Sequence, residues 1–382
     1  MTLRADPLIM LAAVLLLITS GCAAQAVPSS NGANPAPPGP GAFADRPPAD
    51  MTSILKKLKK DVIIGSTVDT KNGDKGPRAI SIAPRSKGLL RKGQLLVCNF
   101  ESSAGVPGNG TTMEILNPAS SSTPMRFVQS DSIKGCDGDG LGAQGGSSYG
   151  AGLASGKVVE VSSKGVPERT FGGQAIKAPF ADTIALPEQP FSPEYVFVST
   201  TSGGIASISV GFYGNDRATE VATGFGVTTQ SGQTVLAPSG LQYDPATDVL
   251  YIVDGVTDTI VAFSNASELL DKDEIIVKPG GKTFKCEHPK ATCASLVYSG
   301  SPLDAPMAAT LLPNGNLIVA NTGGTANTLV ELTPHGQVLD TKVVDSSSTQ
   351  GVFGLAASGT SDSNTVLFYA DTNSNTVHEL SQ

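Results

Sequence analysis

The feature that most constrains the fold is an internal repeat. An apolar residue, a variable residue, a second apolar residue and usually Ser or Thr recur at 113–116, 159–162, 206–209, 261–264, 330–333 and 378–381. Successive copies lie 46, 47, 55, 69 and 48 residues apart. A unit of about 47 residues is typical of one propeller blade. The sequence therefore predicts an all-β fold, a six-bladed β-propeller with four strands in each blade.

Other strands of the repeat are also visible. Short apolar runs that end in Asp or Asn occur at 94–99, 248–254, 316–321 and 365–371. Runs of this length, bounded by turn residues, are typical of strands buried on both faces, as packing between neighbouring blades requires. The composition of 43 Gly, 26 Pro and no Trp fits many short strands joined by tight turns.

The two ends of the repeat region predict how the ring closes. The sequence stops at Gln382, directly after the third strand of the sixth copy, so this blade needs an outer strand. The apolar segment 61–66 lies upstream of the first blade and is expected to supply it, which removes an open sheet edge. Before it, 51–61 is predicted to form a short helix, because Ile54, Leu55 and Leu58 share one helical face.

The N-terminal region predicts export. An apolar run of eleven residues at 8–18 is too short to span a bilayer comfortably and is typical of a signal-peptide core. The residues that follow, Ile18-Thr19-Ser20-Gly21-Cys22, resemble a bacterial lipobox, which implies diacylation of Cys22. The alternative is an ordinary secretory signal with an incidental Cys. We expect lipid anchoring in the cell envelope, and Ala23 favours the outer membrane because it stands where Asp often signals inner-membrane retention.

A proline-rich stretch separates this leader from the repeats. The segment 23–50 contains seven prolines among Ala, Gly, Ser and Asn, with almost nothing apolar to bury. The sequence thus predicts a signal peptide at 1–22, a linker at 23–50 and a propeller at 51–382.

The charge balance argues against nucleic acid as a partner. The chain has 26 Lys and Arg against 34 Asp and Glu, a net charge of −8. Binding to phosphates requires clustered Lys and Arg, and the one dense basic run is at 56–60. Its lysines are expected to be solvated.

Four cysteines remain beside Cys22, an even number that allows three pairings. We favour a bond between Cys286 and Cys293, which leaves Cys98 to pair with Cys136 and to tie blade one to blade two. Metal binding by Cys286, His288 and Cys293 is the alternative, but this set lacks a fourth ligand. An exported protein favours disulfides.

Three short motifs fall in the glycine-rich part of blade two, where 131–156 shows no clear second strand. The run 140–145 matches the dinucleotide fingerprint, and 146–150 matches the hydrolase nucleophile elbow, but neither has the required strand-to-helix context. Asp137-Gly138-Asp139-Gly140 suggests calcium, yet Leu141 and Ser148 stand where an EF-hand loop needs ligands. We expect glycine loops and predict no catalytic residue, metal or cofactor, with calcium in another type of loop as the alternative.

The repeats resemble NHL-type six-bladed propellers, a group that neighbours the gluconolactonase-like proteins. The resemblance rests on GLQYDPATDVLYIVDGVTDTIVAFS at 240–264, LPNGNLIVANTGGTANTLVELTPHGQVL at 312–339 and NTVLFYADTNSNTVHELS at 364–381. Its lactonase branch implies an axial divalent cation held by Glu, Asn and Asp. Here Ser239 stands at the Asn position, and 306–309 offers no carboxylate where Asp is expected.

Polar residues that follow the second strands predict a binding face. They recur in register at Asn99, Asp254, Asp258, Asn321, Asn327, Asp371 and Asn375, and we call them the rim residues. Each alone is typical of a turn cap, but together they suit a protein, peptide or carbohydrate partner. The sequence thus favours a binding or scaffold module, with a lactonase or lyase that uses the central channel as the alternative.

Four glutamates occupy one position of the repeat. Glu114, Glu160, Glu331 and Glu379 are each the second residue of the motif, which places them on third strands, away from the propeller axis. We expect them to face solvent or to bond turns rather than to form a carboxylate ring. The three histidines share no period, so no His-based site is predicted.

Overall fold

A computed structural model describes residues 50–142, 146–185, 194–211, 216–229 and 235–382. Six antiparallel sheets are arranged as the blades of a propeller, which confirms the predicted fold class. The first strand of each blade is innermost, at the axis, and successive strands lie further out. Where the structure describes the chain, no helix is long and apolar enough to cross a membrane.

The first three blades contain these strands, from the innermost outward. Blade 1 has Lys75–Ile82, Leu95–Glu101, Pro107–Leu116 and Met125–Gln129; blade 2 has Cys136–Leu141, Ser147–Gly152, Lys157–Ser162 and Pro167–Phe171; blade 3 has Pro179–Ala185, Glu194–Thr200, Gly204–Val210 and Arg217–Thr223. Two short strands, Ile275–Val277 and Phe284–Cys286, extend blade 3 to six strands.

The last three blades follow the same order. Blade 4 has Pro238–Asp244, Val249–Asp254, Thr259–Ser264 and Cys293–Ser299; blade 5 has Pro306–Leu311, Leu317–Asn321, Asn327–Leu332 and Val338–Asp345; blade 6 has Val352–Ser358, Val366–Asp371, Thr376–Ser381 and, outermost, Lys60–Ser66. A small hairpin pairs Thr228–Thr229 with Val235–Leu236, and 3-10 turns lie at Asp131–Ile133, Ala266–Glu268 and Asp362–Asn364.

Ring closure follows the prediction. Lys60–Ser66 pairs antiparallel with Thr376–Ser381, so that Lys60 lies opposite Ser381. The last blade therefore receives its fourth strand from the other end of the repeat region. Because the backbone N–H and C=O groups that face each other in such a pair form hydrogen bonds, the closure is held by these bonds as well as by packing.

The predicted helix at 51–61 is wrong. The chain forms only a turn at 54–57, and the closing strand begins at Lys60. Pairing with the last blade takes the end of the segment, Lys60 and Asp61, into the sheet, and tertiary packing overrides the helical pattern. Ile54, Leu55 and Leu58 are nevertheless fully buried, against blades 5 and 6.

Blade 2 also differs from expectation, because its glycine-rich segment does form a second strand, Ser147–Gly152. Glycine is needed here for space. A Cβ at Gly150 would lie 3.2 Å from Ile133 Cγ2 and 3.5 Å from Met113 Sδ. The glycines therefore let blade 2 approach blade 1 closely, at the cost of the apolar pattern by which a strand is recognised.

The repeated glutamates lie on third strands, but three of them do not face solvent. Glu114, Glu160 and Glu331 are buried. Glu331 bonds a turn as expected, since its carboxylate accepts hydrogen bonds from the amides of Ile54 at 3.1 Å and Leu55 at 2.8 Å. The expectation of solvent-facing side chains is wrong at Glu114 and Glu160. Glu160 accepts hydrogen bonds from Ser147 and Arg169 of its own blade, and Glu114 lies beside Asp69 and Arg126.

Both predicted disulfides are present. Cys98 bonds Cys136 and so links blade 1 to blade 2, and Cys286, at the end of the strand that extends blade 3, bonds Cys293, the first residue of the last strand of blade 4. The Cα atoms of each pair are 5.3 Å apart, within the usual range for a disulfide.

Candidate functional site

The innermost strands of all six blades surround a cavity of about 210 Å³, which we call the axial cavity. Its polar or aromatic lining residues include Arg78, Ser81, Asp137, Asp139, Phe180, Asp182, Thr183, Ser239, Gln242 and Phe353, and Met307 adds an apolar side chain. Side chains from six separate repeats thus meet in one concave space, which is a common position for a small-molecule site.

One end of the axial cavity is closed. Arg78, Phe180, Met307 and Phe353 lie near the starts of their strands, and each is buried. Residues nearer the strand ends, such as Ser81, Thr183 and Gln242, are partly exposed. The cavity therefore has a floor at the strand starts and a mouth at the strand ends.

Three carboxylates line the cavity wall. Asp137 and Asp139 alternate on the innermost strand of blade 2, so both side chains point to the same face. Asp182 comes from the innermost strand of blade 3. All three are more than nine-tenths buried, with exposed fractions of 6%, 7% and 8% respectively.

Most oxygens of these carboxylates have no hydrogen-bond partner in the described chain. The exceptions are few: Ser81 Oγ donates to Asp139 Oδ1 at 2.8 Å, and Asp137 Oδ1 lies 3.9 Å from Arg78 Nη1. Asp137 Oδ2, Asp139 Oδ2 and both oxygens of Asp182 are buried without a partner. Buried polar atoms are rarely left unpaired, so these oxygens indicate a place for a ligand.

Burial shifts the protonation of the three groups. Loss of solvation raises the pKa of Asp137 to about 6, although Arg78 opposes the shift. It raises the pKa of Asp139 to about 7, despite the hydrogen bond from Ser81. The pKa of Asp182 is raised well above its usual value, by burial and by the negative charge of Asp139. Asp139 and Asp182 thus interact as a coupled pair of carboxyl groups.

Arg78 is the one cation in the described lining of the cavity. Its guanidinium carbon lies 3.7 Å from the ring centroid of Phe353 and 4.3 Å from that of Phe100. Cation–π contact of this kind holds the group between two aromatic rings. Burial lowers the pKa of Arg78, and the charge of Asp137 opposes that effect.

Sequence reasoning missed this site. It interpreted Asp137-Gly138-Asp139-Gly140 as a loop, whereas the structure places these residues on an innermost strand. Gly138 is required there, since a Cβ would lie 2.4 Å from Asp182 Oδ1 and 2.8 Å from Asp182 N. The available signal was two acidic residues at alternate positions just after the outer strand of the preceding blade.

The positions that the lactonase resemblance highlights do not provide that family's metal ligands. The hydroxyl of Ser239 donates to Pro306 O at 3.1 Å, and the start of the next innermost strand is apolar at Met307. Over the described ranges, no group of three or more His, Cys, Asp or Glu side chains is arranged to hold a metal ion. The axial carboxylates come instead from blades 2 and 3.

The rim residues lie at the floor end of the ring. Asp254 pairs with Pro238 and Asn321 with Pro306, at the starts of innermost strands. Each rim residue makes at least one side-chain hydrogen bond to the main chain, as seen for Asn99, Asp254, Asp258, Asn321, Asn327, Asp371 and Asn375. Their predicted role in binding a partner stays a prediction.

Comparison with known proteins identifies the fold. No known family profile and no curated protein matches the sequence. A solved structure of a putative gluconolactonase has TM-score 0.51 and 12% identity over 86% of this chain and 94% of its own. Virginiamycin B lyase from Staphylococcus aureus has TM-score 0.50 and 13% identity over 85% of this chain and 98% of its own. A Bacteroides thetaiotaomicron protein of unknown function has TM-score 0.51 and 11% identity, covering 84% and 75%. Identities this low support a shared fold alone.

Proposed function

We propose that this six-bladed propeller is an exported binding protein whose ligand occupies the axial cavity. The ligand presents a positively charged group to Asp139 and Asp182. The observation that carries this proposal is the set of buried carboxylate oxygens without partners at the cavity wall. The binding site is thus assigned from carboxylate oxygens that lack hydrogen-bond partners rather than from similarity to another protein.

The unpartnered carboxylates of the axial cavity carry an energetic cost. A buried carboxylate without a partner is costly, and it responds by taking up a proton, as the raised pKa of Asp139 and Asp182 indicates. A ligand with N–H donors and a positive charge would supply hydrogen bonds to the unpartnered oxygens and a counterion to the carboxylates. Binding therefore favours the ionised form of the pair.

The size of the cavity limits the ligand. A volume of about 210 Å³ corresponds to about seven water molecules. This space suits a molecule of a few non-hydrogen atoms, and not a folded partner. The apolar side chains of Leu241, Met307 and Leu355 cover part of the wall, so the ligand can also carry a small apolar group.

The test is titration of the full chain with methylammonium chloride, followed by calorimetry, with potassium chloride as the ionic control. Saturable binding is expected, and it should weaken between pH 8 and pH 6 because the proton on Asp139 competes with the ligand. Asp182→Asn should abolish binding, whereas Glu168→Gln, which changes an exposed carboxylate on blade 2, should not.

No methylammonium binding to the wild-type chain, or equal binding to Asp182→Asn, would overturn the proposal. Calcium chloride is titrated in parallel. Calcium binding that needs Asp182, without methylammonium binding, would assign the same carboxylates to a divalent cation and reject a positively charged organic ligand.

A lactonase or lyase is the second candidate, and the coupled pair Asp139 and Asp182 favours it. Burial and the charge of Asp139 favour the protonated form of Asp182, and Asp139, with a pKa of about 7, is partly ionised at neutral pH, so one can donate a proton and the other can accept one. Glucono-δ-lactone is a suitable probe. A bell-shaped pH profile of hydrolysis that is lost in Asp182→Asn would support this candidate, and hydrolysis at the rate of buffer alone would reject it.

The proposal of export and lipid anchoring rests on the sequence and on the two disulfides. Structural disulfides persist mainly in oxidising compartments, which supports a position outside the cytoplasm. Anchoring through Cys22 is tested by labelling with a radioactive fatty acid. Label should enter the wild-type chain but not Cys22→Ser, and equal label in both would reject the anchor.

A further inference from the structure

We infer that the ligand of the axial cavity is a short zwitterion, such as a small α-amino acid, with its ammonium group at Asp139 and Asp182 and its carboxylate at Arg78. This inference rests on the proposed function, since it adds a second recognition group to the same site. The added observation is that Arg78, a buried cation in the same cavity, has a buried N–H group without a partner in the described ranges.

Arg78 is a buried cation whose charge is incompletely compensated. It is 7% exposed, its Nε is buried without a hydrogen-bond partner among the described residues, and Nη1 makes only the long contact to Asp137. Its nearest carboxylate oxygen is Asp137 Oδ1 at 3.9 Å, beyond hydrogen-bond distance. A guanidinium carries five N–H donors, so a ligand carboxylate can be bound by two of them at once.

The aromatic contacts hold Arg78 in place without occupying its donors. Phe353 and Phe100 contact the guanidinium at 3.7 and 4.3 Å from their ring centroids. The planar group is thus oriented by packing and leaves its N–H groups for another partner. Such preorganisation lowers the entropy cost of binding a carboxylate.

The two recognition groups lie at different depths. Arg78 is level with Asp137 near the floor, whereas Ser81 bonds Asp139 nearer the mouth. Asp137 and Asp139 are two residues apart on one strand, which separates the two levels by about 7 Å. A ligand that reaches both levels must therefore carry its two charged groups close together, as a small α-amino acid does.

A zwitterion presents an opposite charge to each end of the cavity. Its ammonium group faces Asp139 and Asp182, and its carboxylate takes the hydrogen bonds of Arg78 that Asp137, at 3.9 Å, does not accept. Pairing charges in this way lowers the cost of burying them. The apolar wall at Phe180, Met307 and Leu355 accommodates a small side chain.

The experiment compares three probes on the full wild-type chain by calorimetry: L-alanine, methylammonium and acetate. We expect L-alanine to bind at least tenfold more tightly than methylammonium, with acetate weakest. If methylammonium binds and L-alanine binds no better, this inference is wrong while the proposed function stands. If neither binds, both fail.

Substitutions of Arg78 test whether this residue binds the carboxylate of the ligand. Arg78→Gln should reduce the affinity for L-alanine at least tenfold while methylammonium binds as tightly as before or more tightly, because the acidic pair is retained and a buried positive charge is removed. Arg78→Lys, which keeps the charge, serves if the glutamine variant does not fold, and it should lose part of the L-alanine affinity because it lacks the planar fork. Unchanged L-alanine affinity in a folded Arg78 variant would overturn the assignment of Arg78.

Discussion

Asp61 Oδ1 lies 3.0 Å from His378 Nδ1, although 317 residues separate them in the sequence. The ring of His378 stacks on Tyr369 with centroids 4.6 Å apart, and the Tyr369 hydroxyl donates to Asp61 Oδ2 at 2.8 Å. Although burial opposes the shift, hydrogen bonds from His378 and Tyr369 lower the pKa of Asp61. The closing strand is thus fixed to blade 6 by side chains as well as by backbone pairing.

Removal of the closing strand is expected to destabilise the whole ring. A chain that begins at residue 75 leaves the outer edge of blade 6 unpaired and exposes Leu380 and Val377, which are buried in the closed ring. We expect aggregation or a thermal unfolding midpoint at least 10 °C lower, since the lost strand and turn contribute several kcal/mol. The reference is a chain that begins at residue 50. Equal solubility and equal midpoints would contradict the closure.

Substitution of Glu331 tests the turn that precedes the closing strand. Glu331→Gln weakens acceptance of the Ile54 and Leu55 amides and of the Ser53 hydroxyl at 2.7 Å. Because these donors are partly or fully buried, we expect a loss of about 1–3 kcal/mol in the free energy of unfolding. Urea denaturation measures it.

Glu379→Gln is the matched control, at the same repeat position but partly exposed. A change below about 0.5 kcal/mol is expected there. Equal losses in the two variants would show that the hydrogen bonds to the turn are not the cause.

Glu114 should make stability fall as the pH rises. Burial, with repulsion from Asp69 and Asp74, raises the pKa of Glu114 to about 9, although Arg126 opposes the shift. Between the unfolded pKa, near 4.5, and the folded value, the unfolded chain has lost this proton while the folded chain retains it. The group therefore removes up to about 1.4 kcal/mol of stability for each pH unit.

Urea denaturation of wild type and Glu114→Gln at pH 6 and pH 8 measures this contribution. Other titrating groups act on both chains, so the difference between their slopes reports Glu114. We expect the variant to lose less stability than wild type over this interval. Parallel slopes would contradict a neutral Glu114 in the folded state.

The two disulfides should differ in their effects on stability. Cys98 and Cys136 are 38 residues apart, and Cys286 and Cys293 are 7 apart. In the chain-entropy account the longer loop contributes about 4 kcal/mol and the shorter one about 2 kcal/mol. Replacing each pair by Ala and measuring unfolding with urea should give the larger loss for Cys98 and Cys136. The reverse order would show that local contacts, rather than loop closure, decide the effect.

The sequence by itself determined the architecture, because the signals that specify it are local and repeated. The motif period predicts six blades, short continuous apolar runs predict their strands, and the missing outer strand of the sixth copy predicts closure by 61–66. The parity of the cysteines and their positions were enough to favour both disulfides. These inferences need only the order and spacing of residues along the chain.

Local patterns failed where packing between distant segments decides the conformation. The segment that carries the helical pattern at Ile54, Leu55 and Leu58 forms a turn, because the residues from Lys60 onward pair with blade 6 as a strand. The second strand of blade 2 was not predicted. Its glycine at 150 is needed because Met113 and Ile133, which lie outside the strand, pack closely against it, and a glycine does not contribute to an apolar pattern.

The candidate site belongs entirely to the tertiary structure. Arg78, Asp139 and Asp182 come from three innermost strands, and nothing along the chain indicates that they share one cavity. Their chemistry also depends on burial, since the same carboxyl groups on the surface would be ordinary solvated charges. The repeat thus specifies the ring, and only the closed ring removes water from its axis and gives these residues their properties.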